Sequence, residues 1–176
     1  MKLNVKLTVL IGFAFLSIST FWQMYDNLVP LILTNTFKIN ETVSGAIMAA
    51  DNVLALFLLP LFGGISDRSN FKIGKRKPFI IFGTVAAVIL MMGLPVLDNS
   101  YFAAPAVWKL AAFVVILGLL LIAMGTYRSP AVALMPDVTP KPLRSKGNAI
   151  INLMGAVGGI LYLLANAVLY SKSRTE

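Results

Sequence analysis

A chain of 176 residues that is 58% hydrophobic and 12% charged carries more apolar surface than a soluble domain of its size can hide, so lipid has to be part of its solvent. It has no cysteine and no histidine, which excludes disulfides, thiolate nucleophiles, histidine metal ligands and histidine proton relays, and with them catalytic triads and zinc sites. The formal net charge of +8 sits in short loops between apolar stretches and comes with no nucleic-acid-binding motif, so it points to membrane topology and no nucleic-acid partner is expected.

The pattern predicts an all-α membrane protein with about five transmembrane helices, each stretch long enough to cross a hydrocarbon core of roughly 30 Å. The first span is expected over 7–33; although lysines and an apolar run resemble a signal peptide, the apolar character continues through 21–33 without a small-residue cleavage site, so the span is uncleaved. A polar break over 34–42 leads to the second span, 43–66, and a charged stretch over 67–77 to the third, 78–97, closed by Asp98, Asn99 and Ser100. The fourth, 106–135, is long enough to be tilted or to project into the cytosol, and a proline-containing loop over 137–144 separates it from the fifth, 145–170. No soluble domain, linker or low-complexity segment interrupts this series. If the spans alternate, Lys2, Lys6, Arg68, Lys72, Lys75, Arg76, Lys77, Lys141, Arg144 and Lys146 share one side and Lys38, Lys109, Lys172 and Arg174 the other, which places the N-terminus in the cytoplasm; a plasma (inner) membrane is the expected location.

Three ionisable groups fall inside spans: Asp26, Asp51 and Arg128. On insertion scales each costs about 3 kcal/mol near the bilayer centre, so each is expected to face the protein interior or a water-filled cavity, either as a functional group or as a buried structural partner. In the first span Gln23, Asp26, Asn27 and Pro30 fall at i, i+3, i+4 and i+7, a polar stripe above a proline kink. Trp22 and Tyr25 flank the stripe; packing and interfacial anchoring suit them better than stacking on a sugar ring. Counting from the span midpoints puts Asp26 and Asp51 at similar depths toward the outside, close enough to share a cavity. There repulsion and desolvation would raise a carboxyl pKa and make a proton carrier, or carboxylate and amide oxygens would hold sodium. Asn52 follows Asp51. Arg128 lies in the inner half of the fourth span, and Asn148 and Asn152, at i and i+4 in the fifth, either line the same cavity or bond between helices. Gly63 and Gly64, and Gly155, Gly158 and Gly159, suit close helix packing; no phosphate-binding loop and no nucleophile, base and metal-ligand set is present, so no enzyme, metal site or cofactor beyond a coupling proton or sodium ion is expected.

The segment Gly63-Gly64-Ile65-Ser66-Asp67-Arg68, followed by Gly74-Lys75-Arg76-Lys77-Pro78, resembles the signature between helices two and three of the major facilitator superfamily. The insertion over 69–73 before Gly74, with Arg128-Ser129-Pro130, Ala133-Leu134, Pro136-Asp137 and Arg144-Ser145 further on, resembles the glycoside-pentoside-hexuronide cation symporters and their sucrose-transporter-like relatives. The resemblance implies two six-helix halves with substrate between them, alternating access, and a cytoplasmic gate formed by Gly63, Asp67, Arg68, Gly74, Lys75 and Arg76. It also implies a partner: the missing C-terminal helices of the same transporter, since five spans make an incomplete N-terminal bundle. The resulting expectation is a fragment of a cation-coupled sugar or glycoside uptake transporter in the lipid bilayer, with Gln23, Asn27, Asn52, Asn148, Asn152 and Arg128 offering hydrogen bonds to a small-molecule substrate. The alternatives are an exporter or exchanger of another small solute, and a small accessory membrane protein without transport of its own.

Overall fold

The computed structural model describes residues 4–72 and 74–172, with no account of the side chains of 169–172. Lys2, Ile73 and Arg174, and the side chain of Lys172, therefore lie outside the described residues. The described residues form five long helices: α1 (Val5–Asn35), α2 (Glu41–Arg68), α3 (Lys77–Ala103), α4 (Val107–Val138) and α5 (Arg144–Lys172), with a 3-10 turn at Lys141–Leu143 before α5. All five are long and apolar enough to cross a membrane.

The helix ends have local causes. Asn40 caps α2, its side chain accepting from the Thr42 amide at 2.9 Å, with Glu41 in the first turn and Arg68 in the last, each opposite the favourable pole of the helix dipole. Pro78 lies in the first turn of α3, where the missing N–H removes no helical bond. At its other end α3 does not stop at Asp98, Asn99 and Ser100 but runs through them to Ala103. The reason is Lys109, which is 8% exposed and whose ammonium donates to the carbonyls of Ser100 (2.7 Å) and Ala104 (2.8 Å), satisfying acceptors that the helix itself leaves open. Arg144 does the same beyond α4, donating to the Pro136 carbonyl at 2.9 Å.

The helices are distributed over two compact units, one of residues 1–27 and 131–176 and the other of residues 28–130. In the first, α5 packs on the N-terminal part of α1 through small residues. A Cβ at Gly155 would lie 2.9 Å from the Ser19 hydroxyl, and one at Gly158 would lie 2.9 Å from the Leu16 carbonyl carbon. Thr20 donates to the carbonyls of both Leu16 (2.8 Å) and Gly158 (3.0 Å), tying the two backbones together. Ile11, Met135 and Ile151 form the apolar cluster beneath this seam, with Phe15 and Leu134 against it.

In the second unit, α4 is the central element. A Cβ at Gly83 of α3 would lie 2.8 Å from the Tyr127 amide nitrogen and 3.0 Å from the Ala123 carbonyl, and one at Gly125 of α4 would meet Leu58 of α2 at 3.3 Å. Phe37, in the connection between α1 and α2, packs its ring on Tyr101 of α3 and Phe113 of α4 at centroid distances of 4.5 and 4.9 Å. The exposed faces remain apolar, with Leu56, Phe57, Phe82, Met92 and Val115 among the outward residues, as lipid contact requires.

The glycine seam gives a direct contrast. Gly158→Ala is expected to destabilise the protein by about 1–3 kcal/mol, because the added methyl meets backbone that has nowhere to move. Gly64→Ala, with nothing within 4 Å of the added atom, is expected to be neutral or slightly stabilising. Thermal unfolding of the purified variants in detergent checks both.

Candidate functional site

Along α2 the buried residues are Ser44, Asp51 and Ser66, while Val53, Leu54, Leu56, Phe57 and Leu61 are exposed. The spacing of 7 and then 15 residues keeps the three polar positions within one narrow stripe of a 3.6-residue helix, so α2 is apolar toward lipid and polar inward. Asp51, 7% exposed at the middle of the helix, is the charged member of that stripe. Asn52, one position on, is exposed and donates to the Met48 carbonyl at 3.1 Å, which turns its amide to its own helix. Arg128 is half-buried on α4 in the same unit. Next to it Ser129 donates to the Leu59 carbonyl of α2 at 2.7 Å and closes on Gly63, where a Cβ would lie 2.8 Å from the hydroxyl oxygen. Gly63 thus has a packing role at the α2–α4 contact.

The remaining signature residues follow. Asp67, at the last turn of α2, pairs with Arg76, just before α3, at 2.9 Å; the arginine side chain is 12% exposed and the aspartate 60%. Arg68 and Lys75 are exposed. Gly74 sits at φ 110°, a left-handed conformation that side chains rarely adopt, and its amide donates to the Phe71 carbonyl at 3.0 Å to close the turn. The glycine of the basic run is therefore explained by backbone geometry.

At the Ser44 end of the stripe lies a cavity of about 290 Å³ between the end of α1 and the start of α2, lined by Pro30, Leu31, Thr34, Glu41, Ser44, Gly45 and Met48. Thr34 donates to the Pro30 carbonyl at 2.9 Å, and the buried Ser44 hydroxyl meets no partner among the described residues.

In the first unit, Asn27 donates to the Gln23 carbonyl at 2.7 Å, and the Gln23 side chain is adjacent to Gly159 of α5. Asp26 is exposed. Tyr25 is fully buried and meets Trp22 edge-on at 5.9 Å between centroids, so these aromatics pack against each other. Asn148 and Asn152 are exposed on α5, beside the buried stripe of Gly147, Ile151, Gly155 and Gly158. Of the candidate positions, then, the structure joins Asp67 with Arg76 and Gln23 with Asn27, whereas Asp26 belongs to the first unit and Asp51 to the second. Among the described residues no three acidic side chains gather to hold a metal ion. Ser44, Ser66 and Ser129 are the polar residues that charge alone does not flag; their helical spacing from Asp51 and their place beside Arg128 are the available signals.

Long apolar helices with an inward polar stripe, a buried aspartate, and a charged turn between α2 and α3 define a bundle of the membrane-spanning class. A profile of the Major Facilitator Superfamily matches residues 11–174, and the chain belongs to that family. It is 29% identical over 144 residues to a sucrose transport protein of Arabidopsis thaliana, covering 75% of this chain and 24% of that protein. It is also 29% identical over 154 residues to the alpha-ketoglutarate permease of Escherichia coli (strain K12), covering 88% and 29%, and 27% identical over 138 residues to a sucrose transport protein of Oryza sativa subsp. indica, covering 72% and 27%. The chain spans about a quarter of the length of these curated relatives. No solved structure matches it.

Ser129→Ala removes the bond to the Leu59 carbonyl and relieves no crowding that another group fills, so a loss of about 0.6 kcal/mol is expected from detergent unfolding, the average for such bonds between membrane helices. Gly74→Ala is expected to destabilise by about 1 kcal/mol through backbone strain alone.

Proposed function

We propose that this chain forms part of a secondary transporter that takes up a sugar or glycoside by alternating access, coupled to a proton or sodium ion. The observation that carries the proposal is Asp51: a carboxylate buried on the inward stripe of a helix whose other faces meet lipid, a placement that costs about 3 kcal/mol and is kept where it serves an ion or substrate pathway. The sucrose transport proteins among the relatives favour a polyhydroxyl substrate. Asp26, Gln23, Asn27, Asn52, Asn148, Asn152 and Arg128 are the further polar groups along the proposed pathway, and Gly63, Asp67, Arg68, Gly74, Lys75 and Arg76 form its cytoplasmic gate. In this arrangement the helices of the remaining three-quarters of the relatives' length would complete the cavity. The N-terminus is cytoplasmic and the membrane is the plasma membrane.

A second reading is favoured by the permease relative together with Arg128. A cation within α4 suits a dicarboxylate substrate, which a guanidinium binds through two parallel bonds.

Uptake into vesicles under an imposed proton or sodium gradient tests both readings. Asp51→Asn is expected to lower gradient-driven accumulation at least about tenfold while leaving exchange of substrate across the membrane measurable, a loss equivalent to about 1.4 kcal/mol. Full accumulation by Asp51→Asn and by Asp26→Asn would refute the coupling role. Uptake of a dicarboxylate, abolished by Arg128→Gln, in place of sucrose would establish the second reading.

The absence of native cysteine makes sidedness directly measurable. A membrane-impermeant maleimide added to intact cells is expected to label Ala103→Cys and to leave Lys141→Cys unlabelled until the cells are opened. The reverse pattern would invert the proposed orientation.

A further inference from the structure

We propose that the turn between α2 and α3 is a binding site for one anionic phospholipid, with the acyl chain held in an aromatic cleft and the phosphate held by the lysines around it. The proposal rests on the membrane-spanning fold and is independent of the substrate and of the coupling ion.

The cleft has a volume of about 310 Å³ and is lined by Phe71, Pro78, Phe79 and Phe82. Its shape follows from the insertion in the turn. Gly74, in the left-handed conformation, bends the chain so that its amide reaches the Phe71 carbonyl. Phe71 is thereby set against the first turn of α3, its ring edge-on to Phe79 at 6.0 Å between centroids. Phe79 and Phe82, three residues apart, lie on one face of the helix and continue the apolar wall along it. Phe71 and Phe82 remain 54% and 74% exposed, an arrangement unfavourable in water and natural against an acyl chain at the membrane boundary.

The charge of the turn separates into two parts. Arg76 is engaged with Asp67, which neutralises that acid, whereas Arg68, Lys72, Lys75 and Lys77 are exposed and surround the cleft in sequence. Four cations next to a membrane-spanning helix are the pattern that attracts anionic headgroups. An apolar cleft and the exposed cations that flank it in sequence match the two ends of one molecule. A zwitterionic phospholipid would fill the cleft but gain little from the lysines. A free phosphate would meet the lysines and leave the phenyl rings exposed.

The test is photo-crosslinking of the purified 176-residue protein in phospholipid nanodiscs, with a phosphatidylglycerol probe carrying a photoreactive group on its acyl chain. The expected result is labelling concentrated within residues 68–82, competed by unlabelled phosphatidylglycerol and not by phosphatidylcholine or inorganic phosphate. Phe71→Ser is expected to remove most of that labelling with the helix content by circular dichroism unchanged. Lys72→Gln with Lys75→Gln is expected to abolish the preference for the anionic lipid, by about tenfold or more, while leaving the cleft intact. Equal competition by phosphatidylcholine would overturn the headgroup assignment, and labelling spread evenly over all helices would show ordinary boundary lipid. No labelling in this segment would overturn the proposal.

Discussion

Hydrocarbon offers no hydrogen bonds, and most of this structure follows from that constraint. Each helix satisfies its own backbone, so the difficult groups are the polar side chains and the helix ends. Along α2 the difficulty is resolved by turning Ser44, Asp51 and Ser66 inward and leaving leucine, valine and phenylalanine outside. This reverses the pattern of a soluble protein, where burial selects apolar residues. At the ends of α3 and α4 the same constraint is met by long cationic side chains that reach back to open carbonyls, Lys109 to Ser100 and Ala104, and Arg144 to Pro136. Lysine and arginine are suited to this because their aliphatic stems pass along apolar surface while the charged end finds its partners.

Because apolar burial cannot drive one helix onto another in lipid, close contact falls to residues small enough to let backbones approach. Gly158 against Leu16 and Gly83 against Tyr127 are the clearest cases, since in both the nearest atom belongs to backbone and cannot rotate away. The hydroxyls act at the same places. Thr20 joins Gly158 to Leu16, and Ser129 joins α4 to Leu59. Small residues and hydroxyls together supply the specificity that the uniform leucine and valine surface lacks.

The helical class and the number of membrane-length helices were legible in the sequence because hydropathy reports solvent directly, and five apolar stretches of membrane length leave few alternatives. The burial of Asp51 was legible for the same reason, whereas Asp26, equally a charge in a span and expected to face inward, is exposed. Ser44 and Ser66 were not legible. A serine can bond its own helix, as Ser66 does to the Gly63 carbonyl, so it is inexpensive on either face and its direction is visible only in three dimensions. Lys109 reads as a topology signal, and its capping role depends on how the chain turns between α3 and α4, which hydropathy does not encode. The pairing of the helices was hidden too, since spans that are apolar on nearly every side carry little periodicity to indicate which face packs.

The signature between α2 and α3 joins a rigid part and a weak part. Gly63 is fixed by the Ser129 hydroxyl, and a turn into α3 Gly83 is fixed by the Tyr127 and Ala123 backbone, so both helices are held to α4 by packing that does not involve the charged residues. The Asp67–Arg76 pair closes the turn between them, but Asp67 is mostly exposed, and such pairs contribute about 1 kcal/mol or less. The bundle therefore does not depend on this ion pair for its stability. Its energy lies in the range that a modest change of surroundings can overcome, so the pair can be made in one state of the protein and released in another while the packed glycines keep the helices together. Under the proposed alternating access, a charge pair with little weight in the fold, placed beside contacts that carry the packing, would latch a state rather than build the bundle.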